Sequence, residues 1–292
     1  MQDKFIALLL ILASRIIYRF EGVCVKKYNE KHGKGGFIFN AIFTLTAMAF
    51  FLFKGLVVDK SVLSFNSLSI LLGAICGLAF ASAVFLTYLA YGSGSFVLTS
   101  LILSYGIIIN IVYGIWLGET ISILGWIAIA LIIFSLYFVK GNGKGESIKI
   151  SKKWVICAGL SVIFAGVFSV LQAHQQLVFN NTKDNEFMIV TYAVATLCLL
   201  VVGLIKNGKD LKYTLKHGTL YGVGAGFVNG MVNLLVLYTY MFADKHFIAP
   251  ISAGISIIVS FVIAKIIFKE KFSKMQYLGV ILGGLAIILF NL

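Results

Sequence analysis

The 292-residue chain has a single proline and few charged side chains: Asp, Glu, Lys and Arg together make up 12% of it. Soluble domains carry about a quarter charged residues, so this composition excludes an ordinary soluble domain. Negatively charged residues are the scarcer kind: the chain has 11 Asp and Glu against 24 Lys and Arg, which gives a formal net charge of +13. No basic run is long enough to indicate a nucleic-acid-binding arm, so we expect no nucleic-acid partner.

Motifs of catalytic and metal sites are also missing. The four cysteines stand singly in apolar segments, without the Cys-x-x-Cys or Cys/His spacing of a metal or redox site. The chain contains no Gly-x-Ser-x-Gly, no Walker loop and no His-Glu-x-x-His. We therefore expect no enzyme activity, no cofactor and no metal.

Hydrophobic residues make up 60% of the chain, and the mean hydropathy is +0.99. They fall in blocks of about 20, the length of helix that crosses a bilayer core. The first block continues beyond Arg15 and has no small-x-small site, so we expect a span there and not a cleaved signal peptide. The fold class predicted is an all-α integral membrane protein with ten transmembrane helices, over 4–25, 37–58, 67–90, 95–117, 121–139, 154–178, 187–205, 218–241, 247–268 and 275–291.

Lysine is distributed unevenly among the connecting loops. The odd-numbered loops hold sixteen lysines, whereas the other side, with both termini, holds five. Because cytoplasmic loops of membrane proteins carry the excess of Lys and Arg, we expect the odd loops in the cytoplasm of a cell-membrane protein and both termini outside. The longest loop, 140–153, is rich in Gly and Lys and predicts a cytoplasmic linker.

The two halves of the chain match at a constant offset of 151 residues. The segment 95–134 aligns without gaps to 246–285, and the pairs include Phe96 with Phe247, Glu119 with Glu270 and Trp126 with Tyr277. An odd number of spans in each half places the repeats in opposite orientations. We therefore predict a first five-helix repeat over 1–139 and a second, inverted one over 154–292; many secondary transporters are built from such repeats.

These features resemble the drug/metabolite transporter superfamily, and within it the EamA-type ten-helix transporters. The matching residues are WLGETISILGWIAIA at 116–130, FKEKFSKMQYLGVILGG at 268–284 and IAPISAGIS at 248–256. The resemblance implies transport of amino acids, sugars, nucleotide sugars, phosphorylated metabolites or cations. It also implies a lipid bilayer and a small-molecule substrate as partners, with a coupling ion or counter-substrate.

Arg15, Arg19 and Glu21 are charged residues in the interior of the first predicted span. Arg19 and Glu21 are near its cytoplasmic end, and either snorkelling to the interface or a structural pair would account for them. Arg15 lies about 11 residues from either end, which is too deep for easy snorkelling. We expect it to line a central cavity or to form a buried salt bridge or carbonyl contact.

Other polar side chains at membrane depth complete the predicted substrate site. Arg15 would bind an anionic group, and further contacts would orient the substrate. Interhelical hydrogen bonding is the competing role for the asparagines, and packing for the histidine. The predicted substrate-binding residues are Arg15, Tyr18, Arg19, Tyr88, Tyr105, His174, Asn229 and Asn233; the coupling candidates are Glu21 and His174.

Three functions remain open from the sequence. The first is a secondary active transporter of a small anionic or zwitterionic metabolite that works by alternating access. The second is a proton-coupled polyspecific exporter of amines, with Glu21 as its coupling group. The third is a membrane scaffold or channel that carries no substrate.

Overall fold

The computed structural model describes residues 2–94, 96–118, 120–140, 151–242, 245–267, 269 and 273–290, and every regular element in these ranges is helical. The predicted linker at 140–153 and the paired Glu119 and Glu270 lie mostly or wholly outside these ranges. The helices are α1 Gln2–Lys31, α2 Gly36–Phe53, α3 Ser67–Ser93, α4 Phe96–Ser104, α5 Ile107–Trp116, α6 Ile123–Lys140, α7 Lys152–Val178, α8 Asp184–Asn207, α9 Leu211–Thr239, α10 Lys245–Ile266 and α11 Lys274–Phe290.

Four helical segments of the described chain are long and apolar enough to cross a membrane. They are Gly36–Val58, Ser67–Ser93, Lys152–Val178 and Asp184–Thr239, the last holding α8 and α9 joined by a 3-10 turn at Gly208–Asp210. All-helical structure suits a bilayer, because a helix satisfies its own backbone hydrogen bonds. Large apolar side chains also face outward, as at Leu220, which is 83% exposed, so the outer surface is suited to lipid.

The structure departs from the predicted spans in two places. The span predicted at 95–117 is divided into α4 and α5, because the backbone turns at Tyr105 and Gly106 through hydrogen bonds to Ile102 and Leu103, three residues earlier. In addition, α1 continues to Lys31 and α9 begins at Leu211, where the sequence predicted loops. The count of ten spans stays a prediction.

The helices of the two sequence halves interleave. The most extensive packing in the molecule pairs a helix before the linker with one after it: α1 with α9, α2 with α8 and α9, α3 with α7 and α8, and α6 with α11. The main core holds buried aromatic residues, among them Tyr28, Phe39, Phe43, Phe51 and Tyr192. Neither half therefore forms a core by itself.

A polar cluster joins the end of α2 to the start of α8. The Lys54 ammonium donates to Asp59 Oδ2 at 2.6 Å and to Asn185 Oδ1 at 3.0 Å, and it lies 3.8 Å from Asp184 Oδ2. Asn185 Nδ2 in turn donates to Asp59 Oδ2 at 2.7 Å. Hydrogen bonds from Lys54 and Asn185 outweigh the effect of burial and hold the pKa of Asp59 below its usual value.

Candidate functional site

A cavity of about 210 Å³ lies at the centre of the helix bundle, between the two sequence halves. Helices α1, α2, α3, α4 and α5 line it from the first half, and α7, α9 and α10 from the second. Polar and charged side chains are prominent in the wall: Arg15, Tyr18, Arg19, Glu21, Asn40, Thr87, Ser100, Asn110, Ser169, Gln172, Asn229, Asn233, Tyr240, Ser252 and Ser256.

Arg15 is a cation in the wall of this cavity. Its side chain is partly buried, and it makes no hydrogen bond or ion pair with any residue that the structure describes. The salt bridge or carbonyl contact that the sequence left open is therefore not found within the described ranges. A guanidinium in a low-dielectric interior attracts anions strongly, so Arg15 gives this part of the wall a positive potential.

Arg19 lies one helical turn further along α1 and is more deeply enclosed. Its side chain is 2% exposed, its Nη2 donates to the Ser256 carbonyl at 3.3 Å, and its guanidinium carbon lies 5.5 Å from the centre of the Tyr18 ring. Its guanidinium is therefore held inside the helix bundle and does not extend to the outer surface. It joins α1 to α10 beside the cavity.

Glu21 carries the negative charge of the cavity wall. It is 7% exposed, and its Oε2 accepts a hydrogen bond from Asn229 Nδ2 at 2.8 Å. Within the described chain its other oxygen, Oε1, accepts no hydrogen bond, and no Lys or Arg nitrogen lies within 4.0 Å of the carboxylate. Glu21 therefore pairs with an amide and not with an arginine, and Oε1 remains unused by the protein.

Asn229 belongs to a hydrogen-bonded network that spans four helices. Tyr192 Oη donates to Asn229 Oδ1 at 2.6 Å, Asn233 Nδ2 donates to Tyr192 Oη at 3.0 Å, and Gln172 Nε2 donates to Asn233 Oδ1 at 2.9 Å. The network runs from α7 through α8 and α9 to Glu21 on α1. Gln172 is the residue that the offset of 151 aligns with Glu21, so the network begins and ends at equivalent sequence positions.

Other polar atoms beside the cavity lack partners among the described residues. Asn40 Oδ1, Ser252 Oγ and the Nε atoms of Arg15 and Arg19 are buried without a hydrogen bond. An unsatisfied buried polar atom costs about 1–3 kcal/mol, so several around one cavity indicate a site built for an occupant.

The structure brings five of the eight predicted substrate-binding residues to this cavity: Arg15, Tyr18, Arg19, Asn229 and Asn233, together with the coupling candidate Glu21. It does not bring the other three. Tyr88 packs 5.7 Å from Phe39 near Tyr28, the ring of His174 hydrogen-bonds to Tyr113 Oη at 2.7 Å, and Tyr105 lies at the break between α4 and α5. These three side chains lie away from the cavity. The apolar sequence around them does not show which side of a helix faces the cavity.

Tyr192, Asn40 and Ser252 are contributors that the sequence did not single out. Tyr192 is fully buried, and its partners lie 37 and 41 residues along the chain. Its position among 13 tyrosines carries no local signal of a polar network. Among the network residues that were not predicted as site residues, Gln172 had a sequence signal, because it lies in the polar run QAHQQ.

No group of three or more His, Cys, Asp or Glu side chains in the described ranges is arranged to hold a metal ion. The four cysteines are all free thiols, and two of them, Cys76 and Cys157, are buried. The cavity wall itself contributes arginine, carboxylate, amide and hydroxyl groups. This chemistry suits reversible binding of a polar molecule.

Comparison with known proteins agrees with the helical architecture. A solved structure described only as "Crystal structure of protein" matches with a TM-score of 0.70, over 97% of this chain and 95% of its own, at 14% identity. That likeness shows the fold alone. No curated protein matches the sequence significantly.

Residues 152–292 match the model of the EamA-like transporter family. This segment holds α7 to α11 and, with them, the Gln172, Asn229 and Asn233 side of the cavity. The description of this family as transporters agrees with the apolar helices of the chain and with the cavity between them. The second half of the chain is therefore similar to the EamA-like transporter family.

Proposed function

We propose that the protein is a secondary active transporter of a small anionic or zwitterionic metabolite, and that its substrate binds in the central cavity. The observation that carries this proposal is Arg15, a cation in the cavity wall without a partner in the described chain. A charge inside a membrane protein is costly unless it is paired or functional. A carboxylate or phosphate of the substrate supplies the missing partner, and a guanidinium binds either in a two-pronged geometry.

The balance of charge in the wall supports the same class of substrate. Arg15 and Arg19 contribute two positive charges, and Glu21 contributes one negative charge. The excess positive charge favours a substrate with an anionic group. The unused oxygen of Glu21 adds a place for an amine, so a zwitterion satisfies both ends of the site.

The size of the cavity also supports a small metabolite. Pockets for drug-sized ligands are roughly 300–1,000 Å³, whereas this cavity measures about 210 Å³. A polyspecific exporter of bulky amines needs a larger space in at least one of its states. The volume therefore favours a compact substrate such as an amino acid or a related metabolite.

The alternative is a proton-coupled exporter of amines, and the position of Glu21 favours it. Glu21 lies in the cavity wall without a cation within salt-bridge distance in the described chain, as a coupling carboxylate would. For this alternative, a Glu21→Gln variant would lose transport of a lipophilic amine, and an Arg15→Gln variant would keep it. The opposite pattern is expected for our proposal.

The pattern of helix packing supports alternating access between two inverted repeats over 1–139 and 154–292. Exchanging each helix for its counterpart in the other half turns the α1–α9 contact into the α3–α7 contact, and the α2–α9 contact into the α3–α8 contact. The α2–α8 and α6–α11 contacts are unchanged by this exchange. Two halves related in this way can rock about a central site and open it to each side in turn.

The experiment is counterflow in proteoliposomes, after a thermal-shift screen of the purified protein against metabolite carboxylates, phosphates, amino acids and amines. We expect stabilisation by an anionic or zwitterionic compound, and then saturable uptake of that labelled compound driven by the unlabelled one inside. A scaffold moves nothing, and a channel gives no counterflow. Stabilisation and counterflow by amines without an anionic group would overturn the proposed substrate class.

A further inference from the structure

The hydrogen bonds between Gln172 and Glu21 all run in one direction. Asn233 Nδ2 lies 3.0 Å from the main-chain carbonyl of Asn229. A carbonyl can only accept, so this nitrogen must carry the hydrogens, and Asn233 Oδ1 is left to accept from Gln172. Flipping the Asn233 amide would set two oxygens against each other. The orientation of Asn233 is therefore determined by its surroundings.

The direction passes on through Tyr192. Its oxygen accepts from Asn233 Nδ2, and its hydroxyl hydrogen is then free to donate to Asn229 Oδ1, 2.6 Å away. Asn229 Oδ1 also accepts directly from Asn233 Nδ2, at 2.9 Å. With its oxygen occupied by the tyrosine hydroxyl, the Asn229 amide presents its NH2 group to Glu21 Oε2 at 2.8 Å. The chain of donors thus ends on a carboxylate, which is the acceptor that gains most from it.

We infer that Tyr192 is a positioning residue: through Asn229 it holds Glu21 as an ionised acceptor for a protonated amine of the substrate. This inference rests on the proposed function and specifies its substrate further, as a zwitterion with its anionic group at Arg15 and its amine at Glu21 Oε1. Hydrogen bonds in series polarise one another, so each donor strengthens the next. Loss of the tyrosine hydroxyl leaves the Asn229 amide a weaker donor and the Glu21 carboxylate easier to protonate.

Several other titratable groups face Glu21 and act on its charge as well. Arg19, Tyr18 and Cys24 lie near it on α1, Tyr91 reaches it from α3, and Tyr192 from α8. The groups that face it from α9 are uncharged amides. Among these tyrosines, Tyr192 is the one that hydrogen-bonds to the amide holding Glu21, since Tyr91 bonds instead to Ser100 at 3.1 Å.

The test is an infrared titration of the carboxyl band in the purified protein without substrate, with Glu21→Gln used to assign the band. We expect Tyr192→Phe to move the midpoint of Glu21 protonation upward by roughly half to one pH unit, a three- to tenfold gain in proton affinity, because one hydrogen bond is lost. Tyr221→Phe, on α9, is the matched control: the Tyr221 hydroxyl makes no hydrogen bond within the described chain, and no change is expected.

If Tyr192→Phe folds poorly, Asn233→Ala replaces it, because it removes the amide that donates both to Tyr192 Oη and to Asn229 Oδ1 and moves the midpoint in the same direction. A midpoint equal to that of the unmodified protein, in whichever of these variants is folded, overturns the inference. The titration needs no substrate, so it fails or succeeds separately from counterflow. As the pH is lowered, the KM for a zwitterion should begin to rise at a higher pH in Tyr192→Phe than in the unmodified protein, because Glu21 becomes protonated earlier. A substrate that lacks an amine and is transported equally well would overturn the assignment of Glu21 to the amine.

Discussion

Two buried or partly buried cations at membrane-helix positions show how this protein separates structural from functional charge. Lys54 is 7% exposed, and its ammonium contacts Asp59, Asn185 and Asp184. Arg15 also lies within a long helix, α1, but the described chain offers it no partner. A fully paired cation stabilises the fold, whereas an unpaired cation in a cavity wall is available to bind an anionic ligand. This contrast is why we assign the substrate to Arg15.

The Lys54 cluster predicts how stability depends on pH. The pKa of Asp59 is lowered in the folded protein, so its contribution to stability is present above the usual carboxyl pKa of about 4 and is lost as the pH falls through the lowered value. Asp59→Asn should therefore reduce the free energy of unfolding near neutral pH by roughly 0.2–1 kcal/mol, the range of an exposed ion pair.

Thermal unfolding in detergent at pH 6 and pH 3 measures this effect. The melting temperature of Asp59→Asn should lie below that of the unmodified protein at pH 6, and the difference should be smaller at pH 3, where the contribution of Asp59 is being lost. Lys60→Gln, a neighbouring change at an exposed residue, should show no such pattern. A difference between Asp59→Asn and the unmodified protein that is equal at both pH values would contradict this account.

At the scale of the helix, close packing between the halves depends on glycines. A Cβ on Gly77 of α3 would lie 2.5 Å from the Thr191 carbonyl of α8, and one on Gly226 of α9 would collide with the Phe43 carbonyl of α2. Small residues allow membrane helices to approach this closely. The two contacts are counterparts under exchange of the halves, α3 with α8 and α9 with α2.

Alanine at these glycines should separate the helices. We expect Gly77→Ala and Gly226→Ala each to destabilise the protein by about 1–3 kcal/mol, since backbone atoms cannot yield as side chains do. Gly159→Ala, on α7, is the matched control: nothing lies within 4 Å of its added Cβ, and alanine favours a helix. Chemical denaturation in detergent checks this, and equal stability of all three variants would contradict it.

The long helices could be predicted from the sequence because apolar runs of membrane length have few alternatives. The break at Tyr105 and Gly106 could not, because a single glycine in an apolar run is common within helices and no proline marks the turn. The continuation of α1 to Lys31 was hidden by the lysines, which are typical of loops and of helix ends alike. The burial of Arg19 and Glu21 inside the bundle could not be predicted either, because it depends on α9 and α10, which pack against α1.

The candidate site could be predicted only in part, for a related reason. Arg15 stands out because a charge at mid-helix is rare in an apolar segment. The depth of Asn229 and Asn233 could also be predicted, but their partners could not. Tyr192 reaches them from α8, and such a contact depends on how the helices are arranged in space and not on local sequence.

At the scale of the whole molecule, the cavity exists because neither half is complete alone. Arg15 and Glu21 come from the first half, whereas Gln172, Asn229 and Asn233 come from the second. In our proposal, rocking of one half against the other changes the distances between these groups and so links binding to movement. Arg15 and Glu21, both on α1, hold the substrate in our proposal while this movement takes place.

The most direct test of the central claim is counterflow of the stabilising metabolite by Arg15→Gln, with Lys27→Gln as a control that removes the same charge from an exposed position on the same helix. Loss of a hydrogen-bonded charge contact is worth about 1.5–3 kcal/mol, so kcat/KM should fall roughly 10- to 100-fold in Arg15→Gln. Lys27→Gln should transport as the unmodified protein does. Full counterflow by a correctly folded Arg15→Gln would contradict the account.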